Sequence, residues 1–379
     1  MNAAQRYARH IAQARQRIED VYCHRDNGVL PFLVSDVNYW LSGETPALIP
    51  DDYFTDPDVM LRYQTGKIQN HLERRADDYI PVLLPWYGTG VLASAFGSQV
   101  QFLDKMDPAV RGTLIRRPEE VQQLDEPDPQ RDGLMPRVLA TIRRFREHSD
   151  LPISFTDPQG PFTTALTLVG PERLFLWLYE YPRAVHELMD RCTEAFIQWV
   201  KVQKREIGDR SGGGCFPHGI LLPEKFGGVW LCDDDCGAIS GEHYREFVVP
   251  YNSRVFRAFG GGTLHFCGSA EHQIENFLGI EGLVGVNNFC MGNFRQIFRM
   301  QESYRDRLVL KVCDFTPLRI RDYYTELLGG LKRKGTILGT FIAPEMALNQ
   351  GKYEAVSRRG EDVAEEAYAC FRDLGLTAR

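Results

Sequence analysis

The stretch Gly260-Gly261-Gly262-Thr263-Leu264-His265-Phe266-Cys267-Gly268-Ser269 decides how this chain of 379 residues is read. Three glycines open a short apolar run that ends in a histidine and a cysteine two positions apart, then breaks at Gly268. Side chains two apart on an extended segment leave the same face, so His265 and Cys267 can present a nitrogen and a sulfur to one point. Imidazole and thiolate are a ligand pair that zinc favours. The plainer alternative is an interior histidine bonded to a neighbouring aspartate beside an inert buried thiol. If the run is one strand of a parallel barrel, the point lies at the end where such barrels carry their chemistry.

Working outward, similar short apolar runs recur at 28–34, 79–84, 151–156, 228–231, 283–286, 308–312 and 336–341. Helical spacing of apolar residues fills most of the intervals, including 241–259, where Ser240 is suited to cap the helix, and 353–374 at the end. The stretch 97–132, rich in proline and acids, reads as an irregular excursion. Eight strands separated by helices predict an α/β fold with a single (β/α)8 barrel over 28–379. An amphipathic, exposed helical extension over 1–27 precedes it. Polar residues follow nearly every strand: Asp36, Tyr87, Asp157, the run Asp233-Asp234-Asp235, His265 with Cys267, Asn287, Cys313 and Glu345.

Composition narrows the function classes. A hydrophobic share of 43% and a charged share of 25% are those of a globular protein. A net charge of −7, with no basic stripe, argues against nucleic acid as a partner. No window approaches the roughly 20 apolar residues that span a bilayer, so no membrane role is expected. Nine scattered cysteines suit reduced thiols in the cytoplasm better than a disulfide framework.

Three adjacent aspartates repel one another unless something balances them. Asp233 or Asp235 is therefore expected to face a pocket as a general acid/base or as a partner of His265, the alternative being a solvated loop with one capping member. Asp157, at a strand-end turn, either orients a substrate or bonds its own turn. Asn38, Trp86, Tyr87, Asn287 and Glu345 would line the mouth for a small organic ligand. Cys232 and Cys236, with Cys215 and His218, match no metal-ligand spacing cleanly.

The segment from Cys232 to Ser269, with Ile239-Ser240-Gly241-Glu242-His243-Tyr244 and Leu264-His265-Phe266-Cys267-Gly268-Ser269, resembles the uroporphyrinogen decarboxylase superfamily. That resemblance implies a (β/α)8 barrel and two activities, decarboxylation of uroporphyrinogen and methyl transfer with corrinoid proteins. The decarboxylases are expected to carry an arginine-rich loop after the first strand, an aspartate after the second and a histidine after the eighth. Here those places hold Ser35-Asp36-Val37-Asn38-Tyr39-Trp40, Pro85-Trp86-Tyr87 and Ile342-Ala343-Pro344-Glu345. Carboxylate-rich substrates call for arginine, which these stretches lack.

The zinc-dependent methyltransferases of the superfamily imply a His-x-Cys pair, matched by His265 and Cys267, and a third cysteine after strand eight, which is absent. Cys313 or Glu345 would take its place. The expectation is thus a zinc-assisted methyltransferase, with a small methylated compound as substrate and a corrinoid supplied by a partner protein. A homodimer is a further expected assembly. The alternative is a metal-independent decarboxylase or lyase of a small carboxylated substrate.

Overall fold

Branched and aromatic side chains alternate between two faces along six parallel strands, β1 (Phe32–Asp36), β2 (Trp230–Cys232), β3 (Gly262–Cys267), β4 (Leu283–Phe289), β5 (Val309–Phe315) and β6 (Thr336–Ile342). In the computed structural model they form one sheet in the order β1-β6-β5-β4-β3-β2. The described residues are 7–26, 28–36, 50–74, 77–103, 106–156, 159–211, 213–215, 221–342 and 346–376. Leu33, Phe289, Val309, Cys313, Ile337 and Phe341 pack in one cluster, while Val34, Leu264, Val286, Leu310, Val312 and Leu338 pack in another. Burial on both faces is what a parallel sheet flanked by helices requires.

The expected strands at 79–84 and 151–156 lie beside this sheet without a continuous ladder. They meet through single parallel bridges, Leu83 to Ile153 and Ile153 to Ser211, and Gln159 bridges to Cys232. Pro81 and Pro152 carry no N–H to donate, which limits each segment to isolated pairs. Beside β1 the link is made partly by side chains. Asp78 donates its N–H to the Phe32 carbonyl at 2.9 Å, while its carboxylate accepts the Phe32 N–H at 2.9 Å. Asp77 accepts the Val34 N–H at 2.8 Å. The architecture is an α/β fold built on a six-stranded parallel sheet.

The N-terminal helix α1 (Ala8–Tyr22) is not the exposed extension its charges suggest. Ala14, Ile18, Val21 and Tyr22 are buried in the same cluster as Leu33, Val309 and Ile337, near the starts of their strands. The single helix expected over 241–259 is two, α2 (Gly241–Phe247) and α3 (Val249–Phe259), parted at Val248. Pro250 opens α3 because it cannot donate to the preceding turn. Ser240 caps α2 as expected, its side chain accepting the His243 N–H at 3.2 Å.

Two hairpins depart from the expectation. Gln99–Leu103 pairs with Met106–Arg111 inside the supposed irregular excursion, and Met346–Asn349 pairs with Lys352–Ala355 where the closing helix was expected to begin. That helix runs Gly360–Asp373. Finally, β4 and β5 run further than their apolar cores, so Asn287 and Cys313 lie on strands rather than beyond them.

Candidate metal centre

Alternation along β3 turns Leu264 and Phe266 into the cluster that faces the helices and sends His265 to the opposite face with Cys267. His265 Nε2 lies 3.5 Å from Cys267 Sγ. The imidazole is buried, at 2% exposure, while Cys267 opens to solvent at the strand end. Register brings the neighbours: Cys232 pairs with His265 across β2 and β3, and His265 with Asn287 across β3 and β4. His265 Nδ1 lies 2.6 Å from Asn287 Oδ1, and Asn287 Nδ2 donates to Cys313 Sγ at 3.1 Å.

Asp234 completes the group from the turn after β2. Its Oδ1 accepts the Cys267 N–H at 2.9 Å and lies 3.6 Å from His265 Nε2. Ligand atoms of Cys232, Asp234 and His265 all fall within 4.8 Å of one another. A sulfur, a carboxylate oxygen and an imidazole nitrogen are a donor set that zinc accepts. Burial and the Asp234 carboxylate push the Cys267 thiol well above its ordinary value. Cys313, enclosed by apolar neighbours, is pushed up to about 12. Both are protonated thiols in the metal-free chain.

The other expected residues fall in different places. Asp233 turns away from this group and is buried among the helices, accepting from Tyr244 Oη at 2.5 Å and from Asn252 Nδ2 at 3.1 Å. Burial pushes its carboxyl up to about 7. Asp235 is also raised by burial, with the Thr163 hydroxyl opposing the shift. Trp86 is buried and donates Nε1–H to Asp107 at 2.9 Å, whose carboxyl burial pushes up to about 7. Tyr87 is fully buried with its hydroxyl 2.8 Å from Thr141 Oγ1, so it packs against the helix Met135–His148. Asn38, Asp157 and Glu345 lie outside the described residues, as does His218. Cys313 contacts Asn287 rather than entering the Cys232, Asp234 and His265 group.

Beside Cys267 a cleft of about 720 Å³ begins at Gly268 and Ser269 and runs past Met291, Tyr323 and Leu348. Asp314 ties parts of its wall together, accepting the Met291 N–H at 3.1 Å and the Gly292 N–H at 2.9 Å and bonding Tyr323, and it also accepts the Tyr353 hydroxyl at 3.2 Å. Cys232 and Asp234 were not singled out by spacing, although a signal existed. It was only partial: the period of two places Cys232, but β2 ends there and a tight turn starts at Asp234, so the alternation does not reach the carboxylate.

Known proteins resemble this chain in sequence over part of its length and in fold over most of it. Residues 83–208 match the family model described as uroporphyrinogen decarboxylase (URO-D). The uroporphyrinogen decarboxylase of Geobacillus kaustophilus is 29% identical over 194 residues, covering 48% of this chain and 50% of that protein. The methylated-thiol–coenzyme M methyltransferase of Methanosarcina mazei is 28% identical over 192 residues, covering 49% and 46%. The chain thus spans about half the length of the curated relatives it matches. A solved methyltransferase structure from Methanosarcina mazei superposes with a TM-score of 0.65 at 18% identity, over 95% of this chain and 98% of that one. The likeness to the uroporphyrinogen decarboxylase family thus rests on residues 83–208, and the likeness in fold to the solved methyltransferase extends over nearly the whole chain.

Proposed function

We propose that this chain is a methyltransferase-like enzyme that moves a methyl group between a small methylated compound and a corrinoid carried by a partner protein. We read its strand segments as a closed (β/α)8 barrel, with the parallel bridges at Leu83, Ile153 and Gln159 joining the two edges of the sheet. The observation that carries the function is the convergence of Cys232, Asp234 and His265 beside Cys267 at the C-terminal end of the strands.

These residues would hold zinc, which when bound supplies Lewis acidity toward an oxygen or sulfur of the substrate. The chain's own groups do the remaining work. Asp234 adds negative charge next to the imidazole and steadies the Cys267 backbone. Phe289 stacks on Phe341 with ring centroids 5.3 Å apart and lies 5.0 Å from Phe315 and 6.5 Å from His265, which gives the inner wall an apolar surface that excludes water. Asp235, raised by burial, holds a proton close to the site at higher pH than an ordinary carboxyl. The cleft starting at Gly268 offers an approach for the substrate or the partner's corrinoid. The cysteines whose side chains are described are free thiols, in keeping with a cytoplasmic enzyme, and among the described residues no helix is long and apolar enough to cross a membrane.

Metal analysis of protein purified without chelator tests this reading. About one equivalent of zinc is expected, with uptake abolished in His265→Ala and weakened in Cys267→Ser; a metal-free chain that takes up no added zinc would overturn it. A metal-independent lyase is the second reading. Asp107 favours it, because a carboxyl held near 7 beside Trp86 can keep a proton for transfer to a carbanion. Turnover of a carboxylated substrate by zinc-free protein would select it.

A further inference from the structure

Asn287 was expected to touch substrate, but its geometry gives it another task. The side chain is 6% exposed and all of its polar capacity is used inside the sheet. Nδ2 donates to the Lys311 carbonyl at 3.1 Å and to Cys313 Sγ at 3.1 Å. A backbone carbonyl only accepts, so the amide nitrogen must face Lys311 and the amide oxygen must face the other way. That oxygen is the atom 2.6 Å from His265 Nδ1. An amide oxygen only accepts as well, so Nδ1 must carry a hydrogen. In a neutral imidazole the second nitrogen then holds the lone pair.

We infer that Asn287 is a positioning residue that locks His265 in the Nδ1–H tautomer, so that Nε2 presents its lone pair toward Asp234 and Cys267. Cys267 Sγ lies 3.5 Å from Nε2, within reach of a lone pair on that atom. Asp234 Oδ1 lies 3.6 Å from the same nitrogen, beyond a normal hydrogen bond. The lock is set from two strands away: β5 orients the amide, and the amide on β4 orients the imidazole on β3. Second partners of this kind fix both the ring orientation and the nitrogen offered to a metal. The role of the lone pair as a ligand rests on the zinc reading above; the tautomer itself does not.

The experiment is a two-bond 1H–15N correlation spectrum of metal-free protein labelled at its nine histidines, with His265 assigned by its absence in His265→Gln. Nδ1–H is expected in the wild type, and a mixture or Nε2–H in Asn287→Leu. An Nε2–H signal in the wild type, or an unchanged Nδ1–H in Asn287→Leu, would overturn the inference. The wild-type spectrum decides this even if the variant folds poorly. Zinc titration then reads the consequence. Asn287→Leu should bind zinc about 10–100-fold more weakly, and Asn287→Asp, which keeps the acceptor for Nδ1–H, should recover most of the loss. An altered tautomer with unaltered zinc affinity would remove the positioning role. If wild-type protein binds no zinc, the metal reading fails while the tautomer assignment stands on the spectrum alone.

Discussion

Aspartates on two sides of the sheet have opposite work to do. Next to β1, Asp77 and Asp78 stand in for a missing strand ladder. Asp77 accepts from the Val34 and Tyr79 N–H groups, from the Tyr368 hydroxyl and from His71 Nε2 at 2.9 Å, while Asp78 accepts from Phe32 and from Arg17 of α1. Burial alone would raise the Asp77 carboxyl, but His71 and these donors hold it below its ordinary value. At the far edge β2 and β3 pair through their backbones, and Asp234 is left with one backbone donor and a side chain 37% exposed. Where the ladder is interrupted, carboxylates are consumed in replacing it. Where the ladder is intact, side chains of the same type remain available for ligands.

The largest effect should come from the consumed side. Asp77→Ala leaves a buried N–H, a tyrosine hydroxyl and a histidine without their shared acceptor, and is expected to cost about 3–5 kcal/mol. Urea unfolding measures this; a variant as stable as the parent would break the comparison.

Asp233 provides the next test. Its folded carboxyl is raised from 3.8 to about 7 by burial, so folding favours the protonated form. That stabilisation is fully present below the ordinary value and is lost as pH rises through about 7. Asp233→Asn is neutral at every pH and should gain on the wild type by at most about 1.4 kcal/mol per pH unit between those limits. Urea midpoints at several pH values measure the slope, and a difference independent of pH would remove the buried-proton account. A smaller effect is expected at the start of α2, where Ser240→Ala removes a cap and should cost about 1 kcal/mol in thermal unfolding.

The smallest stability change sharpens the contrast most. Asp234→Asn keeps an acceptor for the Cys267 N–H and should alter stability by no more than about 0.5 kcal/mol. Its zinc uptake should nevertheless fall, because a neutral amide is a poorer ligand than a carboxylate. A large loss of stability in this variant would make Asp234 another structural carboxylate like Asp77.

Much of the fold was legible in the chain. The six sheet strands correspond to apolar runs recognised by composition and length, and the cap at Ser240 followed from residue type. The missed features are those in which local signals compete. Pro250 splits a helix that periodicity alone would continue, and the hairpin Gln99–Leu103 with Met106–Arg111 lies in a stretch whose prolines and charges suggest a loop. α1 looked exposed because its arginines stand out, yet one stripe of Ala14, Ile18 and Val21 is enough to bury it.

The sequence by itself determined that His265 and Cys267 share a face, because a period of two is a local property of extended backbone. Only the tertiary structure decided their company. Which residue of β2 or β4 lies level with His265 depends on register between segments separated by helices, and no local spacing records it. Hence Asp234 rather than Asp233 joins the donors, and Asn287 reaches the imidazole instead of a ligand.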